Sequence, residues 1–527
     1  MYTLWYGGKI RTMVQEADSA EAVVTNQGYI EAVGRESELR SRYGDHVSEE
    51  IHINGVLYPG FVDSHLHVVG HGEKLLQLDV SGVKSLDELK VLLQQKANET
   101  PPGSWITAEG FNENLYEGSR VPDKYFLDQI TTSHPVMVTR VCRHAMTVNS
   151  YALEAAGVDA STVSPEGGRI ERSEEGEPTG YIHDQAQELI RGILPEKSRD
   201  DVKLAMQTAL TDLHRNGFTG GHTEDLFYYR SPKETLELFY ELIHDEQRFR
   251  ADLLVHHEAL DEVLAYEAEH PYVKLNTVKI FADGALGGRT ALLSSPYDDA
   301  PGVQGVAIHS QEEMDALVKR ARKAGMGAAV HVIGDAALEM ALHAVETYPA
   351  PPGTRDRFIH LQVTRPDLRK RMQRLPLVLD IQPQFTASDF PWVIERLGRA
   401  RMKDAFAWKT LLREGLLCAG GSDAPIEPVN PLLGLHAAVT RRKPEERHQG
   451  WYPEEALTPF EAVQLFTHGS AQAVVKEERA GIIAPGYEAD FTVLSGDLFT
   501  LDPDRWLELH VEQTVVAGAV MYSRREN

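Results

Sequence analysis

Two histidines close the run Leu57-Tyr58-Pro59-Gly60-Phe61-Val62-Asp63-Ser64-His65-Leu66-His67. Residues two apart in a strand share a face, so His65 and His67 can grip one metal ion. With 22 histidines in 527 residues, about one His-x-His is expected by chance, and the pair alone reads more simply as two hydrogen-bonded side chains. Its position at the end of an apolar strand favours chemistry, because the reactive rim of a barrel lies there. Three more residues occupy comparable positions. His331 follows Ala328-Ala329-Val330, His360 follows Arg357-Phe358-Ile359, and Asp423 follows Cys418-Ala419-Gly420-Gly421-Ser422. Each alone reads as a core or capping residue; four histidines and an aspartate on one rim read as a metal site, with zinc favoured by the histidine-rich set. Lys279 lies inside the strand-like Thr277-Val278-Lys279-Ile280-Phe281-Ala282-Asp283. A buried ammonium needs a partner, either a salt bridge to Asp283 or conversion by CO₂ to an anionic carbamate able to bridge two cations.

The elements that must carry these residues alternate. Apolar stretches at Leu57-Asp63, Gly217-Gly221, Asp252-His256, Thr277-Asp283, Gly327-Val332, Arg357-Leu361, Leu377-Gln382 and Leu416-Gly420 are separated by helix-period segments. Eight such strands predict a (β/α)₈ TIM-like barrel over 57–479. Ser310-Gln311-Glu312-Glu313 is a capping box that opens one of the helices, which Gly325 stops, and Thr458-Pro459-Phe460-Glu461 repeats the device. The gap between the first two strands is too long for one crossover, so 70–210 is an insertion that shapes the pocket. Both ends of the chain, 1–56 and 480–527, are rich in short strands and turns, which predicts a small β-sandwich domain built from the two termini.

Composition excludes several classes. Lys+Arg 53 against Asp+Glu 79 gives a net charge of −26, which repels phosphate backbones and anionic lipid; nucleic acid and membrane are not expected partners. Two cysteines, Cys142 and Cys418, cannot build a disulfide framework, and Cys418 reads as an inert core thiol. No stretch approaches the length of a membrane span and the N-terminus lacks a signal-like apolar run, so a cytoplasmic protein is expected.

The stretches from Pro59 to His67, Asp283-Gly284-Ala285-Leu286-Gly287-Gly288-Arg289-Thr290-Ala291, His331-Val332-Ile333-Gly334-Asp335-Ala336-Ala337, Gly421-Ser422-Asp423-Ala424-Pro425 and Ala484-Pro485-Gly486-Tyr487-Glu488-Ala489-Asp490-Phe491 together resemble the amidohydrolase superfamily. The likeness covers essentially the whole chain and points to its family 3 branch, which includes N-substituted formamide deformylases. The resemblance implies a binuclear metal-dependent hydrolase. His65 and His67 would hold the first cation with Asp423, His331 and His360 the second, and a carboxylated Lys279 would bridge them. A metal-bridging hydroxide would attack, with Asp423 as the proton shuttle.

On the substrate side, His144 resembles a family histidine approaching the pocket from the insertion, although Cys142-Arg143 stands where relatives often carry Asp-Gly. His222 offers a further rim histidine, and Asp283 and Arg289 flank a glycine-rich loop able to orient substrate or act as a lid. Gln382 and Gln384 read as structural amides. The leading function is hydrolysis of a C–N bond in an N-acyl or N-formyl amine or related amide. A cyclic amide hydrolase or a mononuclear deaminase is the alternative, and a non-catalytic barrel regulator a more distant one. A small-molecule substrate and a homodimer paired through β-domain edges are the expected partners.

Overall fold

The computed structural model describes residues 2–115, 121–140, 144–165 and 167–524. Cys142 and Arg143 lie outside the described residues. The chain divides into two compact units, residues 1–72 with 199–527, and residues 73–198.

Eight parallel strands in sequential order build the larger unit's central sheet. They are β1 (Phe61–Leu66), β2 (Phe218–Thr223), β3 (Arg250–His256) and β4 (Val273–Phe281). β5 (Gly327–Val332), β6 (Asp356–His360), β7 (Leu377–Ile381) and β8 (Leu417–Gly420) complete it. The sheet curls into a nearly closed TIM-like barrel, because β8 runs on beside β1. The Asp423 N–H donates to the His65 carbonyl at 2.8 Å. The Asp63 carboxylate accepts from the His65 N–H at 3.0 Å and the Ser422 N–H at 3.1 Å. Both predicted capping boxes form, on helices Gln311–Lys323 and Pro459–Leu465.

The single strand expected over 57–63 is two strands. Val56–Pro59 belongs to the terminal sheet and β1 begins at Phe61. The break falls at Gly60, where a Cβ would stand 2.3 Å from Thr219 Oγ1 on β2; only glycine allows that approach.

The terminal sheet draws strands from both ends of the chain, Tyr2–Arg11, Ser19–Asn26, Tyr29–Gly34, Val47–His52 and Val56–Pro59 with Phe491–Leu494, Val511–Val516 and Ala519–Ser523. They form one eight-stranded sheet around Trp5, Ile10, Val23, Phe491 and Val515. Gln27 and Gly28 both take positive φ, the conformation a two-residue hairpin turn demands.

The unit 73–198 carries its own six-stranded sheet, which includes Ile106–Phe111 and Val136–Arg140. Its cores gather around Leu89, Leu93, Ile106 and Val138, and around Met146, Ile170 and Ile182. Among the described residues no helix is long and apolar enough to cross a membrane.

Candidate metal centre

All the strand ends that carry candidate ligands open on the same rim. His65 is the fifth residue of β1 and His67 the first beyond it; His331 is the last but one of β5, His360 ends β6, and Asp423 follows β8. The rings of His65 and His67 have centroids 5.4 Å apart, those of His65 and His360 5.5 Å, and those of His331 and His360 4.5 Å. Two of the ligand positions are in left-handed backbone, His360 at φ 77° and Asp423 at φ 57°. Such conformations cost on the order of 1–3 kcal/mol each for residues with a Cβ and persist where the surroundings hold them. Here the Leu361 N–H bonds to the Val332 carbonyl and the Asp423 N–H to that of His65, each at 2.8 Å.

The donor atoms of His65, His67 and Asp423 lie within 4.8 Å of one another. Asp423 Oδ1 is 3.5 Å from His65 Nε2 and 3.4 Å from His67 Nε2. Four ligands about 2.1 Å from a tetrahedral cation stand about 3.4 Å apart, and the two separations from Asp423 match that spacing. Hydrogen bonds orient three of the rings, whereas His65 Nδ1 is buried without a partner among the described residues. His67 Nδ1 donates to the Glu224 carbonyl at 2.6 Å, which turns Nε2 toward Asp423. His360 Nδ1 donates to Gln382 Oε1 at 2.9 Å, leaving its lone pair on Nε2, and His331 Nε2 donates to the Gly284 carbonyl at 3.2 Å, leaving its lone pair on Nδ1. Orienting contacts of this kind are what metal-binding imidazoles require.

Electrostatics keep most of the site ready for a cation. Burial, the Lys279 amine and neighbouring imidazoles hold His65 well below its usual pKa. Burial and His360 do the same for His331. Burial brings His360 to about 4, against the pull of Asp423. His67 goes the other way: burial lowers it, but the Asp423 hydrogen bond and the nearby carboxylates raise it to about 9. Burial raises Asp423, and the His67 hydrogen bond with the surrounding positive charges carries it below its ordinary value.

Lys279, buried within β4, places Nζ 3.1 Å from His65 Nε2, on the metal side. Burial lowers the amine to about 8, opposed by the carboxylates of Glu224 and Asp423. The anticipated salt bridge to Asp283 is absent. Asp283 instead accepts from the backbone N–H groups of Leu292, Ile333 and Gly334, binding the loop after β4 to the end of β5.

The remaining candidates fall elsewhere. His222, buried in β2, lines a cavity of about 40 Å³ with Thr219, Asp252 and Lys476, at the strand-start side of the barrel. Its Nδ1 has no partner. Arg289 makes a two-pronged pair with Asp299, at 3.1 and 2.7 Å, and thereby pins its own loop. His144 lies in the unit 73–198, largely exposed, 3.2 Å from Asp184. Cys418 is buried, and burial pushes its thiol up.

Several neighbours of the centre escaped the sequence reading. Glu224, just past β2 in Gly221-His222-Thr223-Glu224-Asp225, lies against His67; a polar run ending an apolar strand was its one visible signal. Beneath the rim, fully buried Arg357 pairs with Asp380 at 2.8 Å and reaches across to the Ser64 carbonyl. An aromatic wall also leaves the centre: Phe281 is 5.3 Å from His331 and 5.9 Å from His256, on which the exposed Phe227 stacks at 4.2 Å.

A parallel barrel with His65, His67, His331, His360 and Asp423 gathered at its strand ends defines a metal-dependent hydrolase of the amidohydrolase superfamily. The chain belongs to the amidohydrolase family, in its family 3 branch, whose model matches residues 54–522. YtcJ of Bacillus subtilis (strain 168) is 47% identical over 528 residues, covering 99% of this chain and 100% of YtcJ. The N-substituted formamide deformylase of Arthrobacter pascens is 25% identical over 540 residues, covering 98% of this chain and 97% of the deformylase. The crystal structure of an uncharacterized metal-dependent hydrolase from Pyrococcus furiosus matches with a TM-score of 0.79 at 27% identity, covering 95% of this chain and all of that one.

Proposed function

We propose that the protein hydrolyses a C–N bond in an N-acyl or N-formyl amine or a related amide, using two divalent cations with zinc the favoured ion. The observation that carries this reading is Asp423, a buried carboxylate whose Oδ1 stands 3.5 and 3.4 Å from the ligating nitrogens of His65 and His67. The formamide deformylase similar to this chain supports the bond type. Bound divalent cations supply a water of lowered pKa and polarise the scissile carbonyl. His65, His67 and Asp423 would hold the first cation, and His331 and His360 would hold the second. Burial brings the Lys279 amine toward neutrality, so it could add to CO₂ with loss of one proton and would then offer an anionic oxygen ligand to the cations. Asp423 takes the proton of the attacking water and returns it to the nitrogen of the leaving amine, which departs neutral. Phe281 and Phe227 offer flat apolar surface to the substrate's organic groups.

A panel of N-formyl amines, N-acyl amines, cyclic amides and aminated bases, assayed with zinc-loaded protein, tests the reading. Release of free amine from the first two classes is expected. Asp423→Asn should reduce turnover by about 10²–10⁴, the span for loss of general acid–base help. Activity confined to the aminated bases, or an Asp423→Asn variant with two cations bound and unchanged turnover, would contradict it.

A further inference from the structure

Glu224 is a buried carboxylate with half of its hydrogen-bonding capacity unspent. Its side chain is fully shielded from solvent. Oε2 accepts from the Tyr228 hydroxyl at 2.7 Å, while Oε1 is buried with no partner. The neighbouring Asp225 shows the contrast, since it accepts from the N–H groups of Val68 and Val69 and from the Thr223 hydroxyl. An orphaned carboxylate oxygen in a protein interior is costly and calls for a missing partner.

The surroundings favour a cation as that partner. Glu224 Oε2 lies 3.7 Å from His67 Nδ1, and the Glu224 carbonyl orients the same ring. The Glu224 carboxylate, like that of Asp423, attracts the Lys279 ammonium. The carboxylate therefore lies beside His67 and within electrostatic reach of Lys279. We propose that Glu224 is a further carboxylate ligand of the metal centre, presented from the rim of β2 and steadied by Tyr228. This rests on reading the cluster as a metal centre.

Charge balance supports the assignment. Two divalent cations bring four positive charges, of which Asp423 and a carboxylated Lys279 offset two; Glu224 offsets a third. Carboxylation also turns the attraction between Glu224 and Lys279 into repulsion, and a cation shared by the two anions relieves it. Tyr228 occupies one oxygen of Glu224 and leaves the other for the ion.

Equilibrium dialysis against zinc, and titration with Co²⁺ followed by visible absorption, compare wild type with Glu224→Gln, an isosteric change that removes the charge. The wild type serves as the control: a wild type that takes up no cation overturns the metal-centre reading itself. With the wild type loaded, Glu224→Gln should keep its far-ultraviolet circular dichroism, bind cation at least about tenfold more weakly and shift the Co²⁺ absorption bands. Wild-type affinity with an unchanged Co²⁺ spectrum in the folded variant would overturn the proposal. Should the variant not fold, a crystal structure of zinc-loaded wild type decides. A Glu224 oxygen within about 2.2 Å of a cation supports the assignment, and both oxygens beyond about 3 Å from every cation refute it.

Discussion

His67 donates through Nδ1 to the Glu224 carbonyl, and that bond decides which nitrogen meets Asp423. Lys279 depends on its setting in the same way. Placed 3.1 Å from His65 Nε2, it stands where a persistent ammonium would repel any cation held by the rim. Lys279→Ala should therefore lose metal and activity, and a short carboxylic acid that fills the vacated space should restore part of both. In the wild type, metal-stripped protein should regain activity faster when bicarbonate accompanies zinc. Identical recovery with and without bicarbonate under CO₂-free conditions would rule out the carbamate. Residue identity at this scale was visible where a strand pattern isolates a polar side chain, as for His65, His331 and Lys279. It was faint for Glu224, which holds His67 through a backbone carbonyl, and Gln382 read as a structural amide without its bond to His360 on another strand.

The β8–β1 junction is the element on which the first metal position depends. Gly421 packs so closely there that a Cβ would lie 2.7 Å from the His65 backbone nitrogen and 2.9 Å from Asp63 Oδ1. Gly421→Ala should push β8 away from β1, destabilising the protein by about 1–3 kcal/mol, the usual range for overpacking. The same displacement separates Asp423 from His65, so metal affinity should fall as well. Thr458→Ala, which removes a helix cap on Pro459–Leu465, should cost about 1 kcal/mol and leave metal affinity unchanged. Denaturant unfolding with parallel zinc titration separates the two; equal metal affinity in both variants would show that the junction does not set the site. All eight barrel strands were legible from apolar runs, and both caps from their Ser/Thr-to-Glu spacing. The split at Gly60 was not, because it arises from contact with Thr219 on a strand about 160 residues away in sequence.

For the whole molecule, metal, protons and stability are linked. His67 is held at about 9 by its carboxylate neighbours, above its ordinary value of 6.5. Below pH 9 the metal-free site carries a proton there that a cation must displace. Zinc affinity should therefore climb by at least about tenfold per pH unit between pH 7 and 9, more steeply below pH 8 where Lys279 also gives up a proton, and level off above pH 9, as measured by competition with a chelator. In the metal-free protein this group's contribution runs in reverse: it is fully present below the unfolded value and is lost as pH rises through 9. Affinity independent of pH across that window would show that no ligand proton is displaced there, contrary to a His67 held at about 9.

Cation counting by equilibrium dialysis and elemental analysis, on wild type and on the His65→Ala/His67→Ala double variant, bears most directly on the site. The wild type should hold close to two divalent ions per chain, and the double variant should lose the ion at the first position while remaining folded. Full metal content in the double variant, or a wild type that retains no ion after exposure to zinc, would contradict the assignment of His65, His67 and Asp423 as a metal centre.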